Sequence, residues 1–270
     1  LRVDTAIGGK DRQISEQSIQ AGPAGTTFSE QVIDPEHEEY CDRYNPPRGS
    51  GIRVTLLFVG NDYVAYRYES WSDCGARPTS NSSLLVRAID QLDTQRISIE
   101  ELTGPEGLIA LQKGASAFLD TIPPGERDGY YPALGNDWGL VRKVGGWRLI
   151  GHLGPARATA RSANTEYEIS LSPPETLVGE GVPSRLLDIV RKKVPNTSDL
   201  FLAPGRSHLV VLTPGVVHVY RVNDGVLGPD PVLLAHPEFD AIDAVVMVQW
   251  SVGRHVSRWT EEIGNLLQKE

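Results

Sequence analysis

An α+β protein of two lobes, each an antiparallel sheet with a few packed helices, is the architecture the sequence predicts. Three observations point to it. Short runs of strand formers broken by Gly- and Asn-bearing turns fill Ile52 to Leu102 and again Trp138 to Leu234. Helical spacing is confined to a few stretches between and after those runs. A Pro- and Gly-rich segment, 121–136, holds Pro123, Pro124, Gly125, Gly129, Pro132 and Gly135 and reads as the connection between an N-terminal lobe, 1–120, and a C-terminal lobe, 137–270.

The N-terminal fifty residues are polar. Val3 to Ile7 reads as a strand and Asp11 to Gln20 as a short helix broken at Ala21 to Gly25. The acidic group Asp34, Glu36, His37, Glu38, Glu39 and Asp42 lacks the glycine of an EF-hand loop and reads as a solvated loop. Val54 to Val59 and Tyr63 to Tyr68 flank Gly60-Asn61-Asp62, a hairpin signal. The polar loop Trp71 to Pro78 follows. Leu84 to Leu92 and Arg96 to Ile99 flank Asp93-Thr94-Gln95 and suggest a second hairpin. Thr103 and Glu106 have capping-box spacing, and Leu108, Leu111, Ala115 and Phe118 recur at helical intervals.

In the C-terminal half, Trp138 to Val144 and Trp147 to His152 flank Gly145-Gly146, a further hairpin. Tyr167 to Leu171 alternates. Ser184 to Val194 is a predicted helix with Leu186, Leu187 and Val190 on one face and three cations in its last turn. Leu209 to Leu212, Val216 to Val222 and Val232 to Leu234 form a predicted meander. Its resemblance to one propeller blade has no second copy in the chain, which favours a single sheet. Ala244 to Trp250 reads as a buried strand, and Val256, Trp259, Ile263 and Leu267 as a helix stripe packing on that sheet.

The 270 residues are 40% hydrophobic and 23% charged, with a formal net charge of -9. That balance argues against a nucleic-acid partner and suits a basic one. No apolar run reaches the length of a membrane span. Leu1-Arg2-Val3-Asp4 carries no signal-peptide core, so the chain is expected to be cytoplasmic or to have lost a leader. Cys41 and Cys74 both sit in polar segments. They are expected either to form a disulfide, as in an exported protein, or to be two unrelated thiols.

No nucleophile elbow, phosphate-binding Gly loop or His-Glu-x-x-His motif is present. The six histidines lack zinc spacing; simple pairing sets Val210 opposite His218, which keeps His208 and His218 apart. No catalytic residue, metal ligand or cofactor is therefore assigned. Asn81-Ser82-Ser83 and Asn196-Thr197-Ser198 are formal Asn-x-Ser glycosylation triplets. Tyr66, Tyr68, Trp71 and Arg77 form a Tyr/Trp/Arg-rich group that either fills a core beside the cysteines or makes an interface; Tyr68, Trp71 and Arg77 are the candidate binding residues.

The order of hairpin, Gly75-Ala76-Arg77-Pro78 loop, strand, Ile97-Ser98-Ile99-Glu100-Glu101-Leu102 and helix resembles the RsiV-like extracellular domain of bacterial secreted proteins, lipoproteins and lysozyme-sensing anti-sigma factors. That family's loop usually has His where Arg77 stands. Phe201 to Phe239 resembles its closing strands. The resemblance implies an extracytoplasmic, non-catalytic binding or cell-envelope module whose partner is a basic protein such as a lysozyme, or a cell-wall component. The alternative is an enzyme without a local signature, such as a carboxylate-dependent cell-wall hydrolase.

Overall fold

The computed structural model describes residues 13–22, 25–33, 49–73, 79–92, 96–130, 133–154, 165–179, 181–236, 245–253 and 255–267. The fold is α+β, with antiparallel sheets of five, four and three strands. Contacts divide the chain into two compact units, residues 1–181 with 241–246, and residues 182–240 with 247–270. The expected boundary at 121–136 falls inside the first unit. The hairpin after it supplies Trp138, Leu140, Trp147 and Leu149 to the same core as Phe58, Ala65 and Val86, so burial ties the two segments together.

In the first unit, β1 (Gln13–Gly22), β2 (Gly25–Ile33), β3 (Gly49–Val59), β4 (Tyr63–Asp73) and β5 (Thr79–Ala88) pair in sequence order. The helix expected over Asp11 to Gln20 is thus corrected to a strand. Its pairing with β2 reaches Gly22 and Gly25, inside the break expected at Ala21 to Gly25. The β3–β4 hairpin forms as expected, with one irregularity between Leu56 and Phe58. The extra residue lets adjacent Leu57 and Phe58 both be buried, at 4% and 2% exposure, which strict alternation forbids.

The second expected hairpin is not formed. Residues 89–91 make a 3-10 turn and Ile99–Thr103 makes helix α1. The capping box belongs to Ser98 and Glu101, one turn before the Thr103 position. Gly104, at φ 72°, then separates α1 from α2 (Pro105–Asp120). Leu111 and Ala115 on α2 are buried, with Leu108 and Phe118 partly buried against them. A short α3 (Pro124–Arg127) follows.

Strands β6 (Trp138–Lys143), β7 (Gly146–Leu153) and β8 (Thr165–Glu168) form the three-stranded sheet. Gly145 turns the hairpin at φ 82°, in the left-handed region where glycine is unstrained. The face bearing Leu140, Leu149 and Tyr167 packs with Leu111 and Ala115. The other face bears Gly139 and Ile150, and Ile150 meets Leu57 and Leu84. Phe58 meets the Trp147 ring edge-on at 4.8 Å between centroids. A short α4 (Glu175–Val178) closes this unit's described elements.

The outer edge of β5 is covered by the chain itself. Leu84 N–H donates to Asp137 Oδ1 at 2.8 Å, and Ile97 N–H donates to Val86 O at 2.9 Å. Trp138 Nε1 in turn donates to Ile97 O at 2.9 Å. The first two bonds close Leu84 N–H and Val86 O to another strand.

The second unit holds α5 (Ser184–Lys193), β9 (Asp199–Leu202), β10 (His208–Thr213), β11 (Val216–Asn223), β12 (Val226–Ala235) and α6 (His255–Leu267). The four strands form one meander sheet. Leu186 and Val190 on α5 and Leu200, Leu209, Val211, Tyr220 and Val222 on the sheet are buried. Lys193 at the helix end donates to Gly228 O at 3.0 Å and also to Pro229 O.

Two expectations are corrected here. Residues 245–250 are not a buried strand; they lack sheet pairing and Met247 is 41% exposed. Trp259 is half-buried rather than buried, and Val256 is 48% exposed, so the stripe does not bury its aromatic anchor. The first-strand expectation over Val3 to Ile7 lies outside the described residues. Among the described residues no helix is long and apolar enough to cross a membrane.

Candidate functional site

Strand alternation in β4 decides which residues share a face. Ala65, Arg67, Glu69 and Trp71 stand on one face, and Val64, Tyr66 and Tyr68 on the other. Tyr68 and Trp71 are three positions apart, so they do not form one patch. Both are half-buried. Arg77, Cys41 and Cys74 lie outside the described residues.

Trp71 lies across Gly51, its partner on β3. A Cβ at position 51 would fall within the indole ring, so glycine is needed there. Arg53 stands with its guanidinium 5.5 Å from the Trp71 ring centroid and 3.8 Å from Glu69. On the opposite face, burial pushes the Tyr66 phenol up, with Tyr68 adding to the shift against the opposing charges of Arg87 and Arg96.

Arg67 continues the Trp71 face inward. Its Nε and Nη2 donate to the two oxygens of Glu166 at 2.6 and 2.8 Å. Burial works against its charge, but the hydrogen bond and charge of Glu166, with Glu69, outweigh it and hold its pKa above the ordinary arginine value. A bidentate fork of this kind fixes geometry as well as adding energy. The side chains retain 19% and 27% exposure, so the pair borders solvent.

It borders a cleft of about 390 Å³, within the range of small-ligand sites. Leu57, Val141, Ile150 and Val245 supply apolar lining, while Arg142, Lys143 and Glu168 join Arg67 and Glu166 as its charged lining. Arg142 also stands over the Trp147 ring, 5.4 Å from its centroid. Arg148 approaches Glu168 at 3.6 Å. Tyr167 completes the lining. Its hydroxyl donates to Leu111 O at 3.1 Å; burial, then the Asp137 charge, raises its pKa well above the ordinary phenol value.

Two residues along β7 from Ile150, His152 meets Asp137. His152 Nδ1 is 3.0 Å from Asp137 Oδ2, and the imidazole is fully buried. His152 Nε2 and Ser82 Oγ are buried without hydrogen-bond partners among the described residues. Because they are not bonded to each other, they do not make a nucleophile–base couple as they stand.

His208 and His218 do not pair across their hairpin: Val211 faces His218, one position from the expected Val210, and Arg221 faces His208. Among the described residues no group of three His, Cys, Asp or Glu side chains could hold a metal. The sequence reading missed Arg67, Lys143, Glu166 and Glu168. Only Arg67 left a signal, as a charged residue interrupting an aromatic strand. Comparison with protein-family models, curated proteins and solved structures finds no match for this chain.

Proposed function

We propose that the protein is an extracytoplasmic binding module of the bacterial cell envelope that turns over nothing and receives a basic protein partner. The observation that carries this reading is the bidentate Arg67–Glu166 pair at the cleft. A carboxylate committed to both prongs of a guanidinium organises a surface, whereas a general acid or base must be free to exchange its proton. The net charge of -9 supports a cationic partner, and the resemblance to a lysozyme-sensing domain supports lysozyme as the first one to test. Of the candidate binding residues, Trp71 with Arg53 and Glu69 forms the amphipathic group on one side of β4, and Tyr68 serves a contact on the other. Arg77 is retained as a candidate through its place in the loop.

Calorimetry and pull-down against lysozyme test the reading. Association is expected at low salt and should weaken several-fold as salt rises to physiological strength, where charges are screened beyond about 8 Å. Absence of heat and retention at low salt removes lysozyme as the partner.

A hydrolase is the second reading, favoured by one feature: Glu166 and Glu168 point to the same face of β8 and line the same cleft. Glu166 is committed to Arg67 by two hydrogen bonds at 2.6 and 2.8 Å, which leaves Glu168 without a free second carboxylate for an acid–base pair. Peptidoglycan hydrolysis abolished by Glu166→Gln would establish this second reading in place of the first.

Export also implies a Cys41–Cys74 disulfide. Closing a loop of about 33 residues would stabilise the fold by roughly 3–4 kcal/mol. Thiol titration of the unfolded, unreduced protein should find no free thiol; two would refute the bridge.

A further inference from the structure

The geometry points to a short peptide with free ends as the ligand of the cleft beside Arg67. The cleft carries both signs of charge around an apolar middle, which is the chemistry of a zwitterion with apolar side chains. Arg67 and Glu166 satisfy each other. Lys143 and Glu168 are the exposed charges of the lining. Among the described residues Glu168 meets Arg148 at 3.6 Å, with the two side chains about half exposed, at 57% and 46%. Such a contact is weak enough for a ligand ammonium to share.

The ladder sets the ligand's length. Glu168 pairs with Ile150, and Ile150 with Gly139. Lys143 lies four residues further along β6 and two strands away from Glu168. Strand geometry puts their Cα atoms roughly 13 Å apart along the sheet and roughly 10 Å across it, or roughly 16 Å in all. Strand side chains stand roughly upright from the sheet, so roughly 16 Å is the upper span between the charges. Charge-assisted contacts of about 3 Å at each end leave roughly 10 Å, the length of about three extended residues. A free amino acid is too short. Arg148 stands on the middle strand halfway between the two charges, opposite Val141; Val141 and Ile150 flank it and supply the apolar surface for a central side chain. The inference does not rest on the protein partner proposed above: it concerns a different ligand, and a failure with lysozyme leaves it standing.

Isothermal titration of the intact chain with the tripeptide Ala-Val-Ala tests it, in free, N-acetylated and C-amidated forms. The free peptide should saturate the protein. Acetylation should weaken binding about fivefold in the native protein and have no effect in Glu168→Gln; amidation should weaken it about fivefold and have no effect in Lys143→Gln. Both substitutions are at exposed positions and leave the core intact. The inference is overturned if the free peptide shows no saturation by about 10 mM, if neither blocking group matters, or if only amidation does, since that last result describes a simple carboxylate ligand.

Discussion

Replacing Trp138 with alanine is expected to lower the unfolding free energy by about 3–5 kcal/mol, through lost transfer energy and the cavity left behind. Trp138 is fully buried. Its ring nitrogen also holds Ile97 O at 2.9 Å, and Ile97 N–H in turn caps Val86 O on the β5 edge. The substitution therefore empties a core site and frees one end of an edge cover. Urea unfolding followed by circular dichroism reads the loss as a lower midpoint. Trp138→Phe keeps most of the volume and should cost about 1–2 kcal/mol, chiefly for the unpaired carbonyl. A loss below about 1 kcal/mol in the alanine variant would contradict the buried placement.

Asp137→Ala should cost about 3 kcal/mol, because two donors lose their acceptor at once. Oδ1 takes Leu84 N–H at 2.8 Å and Oδ2 faces His152 Nδ1 at 3.0 Å. The imidazole is fully buried and gains no water in exchange. Asp137→Asn keeps one carbonyl oxygen and is expected to lose about half as much, since one of the two donors remains served. The same urea titration separates the variants; equal losses in both would mean that only one of the two contacts matters.

Much of the fold was legible because turn chemistry is local. Gly145-Gly146 marks the β6–β7 hairpin, and Gly60-Asn61-Asp62 the β3–β4 hairpin, within a few residues of the observed bounds. The misreadings have equally local causes. Two Ser/Thr-x-x-Glu patterns, at Ser98 and Thr103, lie on either side of one helix break. Only the left-handed Gly104 shows that the first is the cap. The polar stretch around Ser15 to Gln20 has few apolar residues to set a period, so its pairing with β2 was not readable. The cleft was illegible for another reason. Arg67 and Glu166 are 99 positions apart, and which strands meet depends on packing between sheets. The same holds for Asp137 and Leu84. Length of sequence between partners, rather than weakness of the interaction, hid the site.

The seating of Tyr167 has a consequence for how this chain can vary. Its ring lies over Gly151 on the neighbouring strand, leaving no room for a Cβ there, and a Cβ at Gly114 on α2 would come within 2.9 Å of it. Three positions distant in sequence thus share one volume. Mutational drift cannot enlarge 114 or 151 while the tyrosine remains, but a smaller residue at 167 would release both. Among diverging copies of this protein a residue larger than glycine at 114 or 151 should therefore appear only where position 167 carries something smaller than tyrosine.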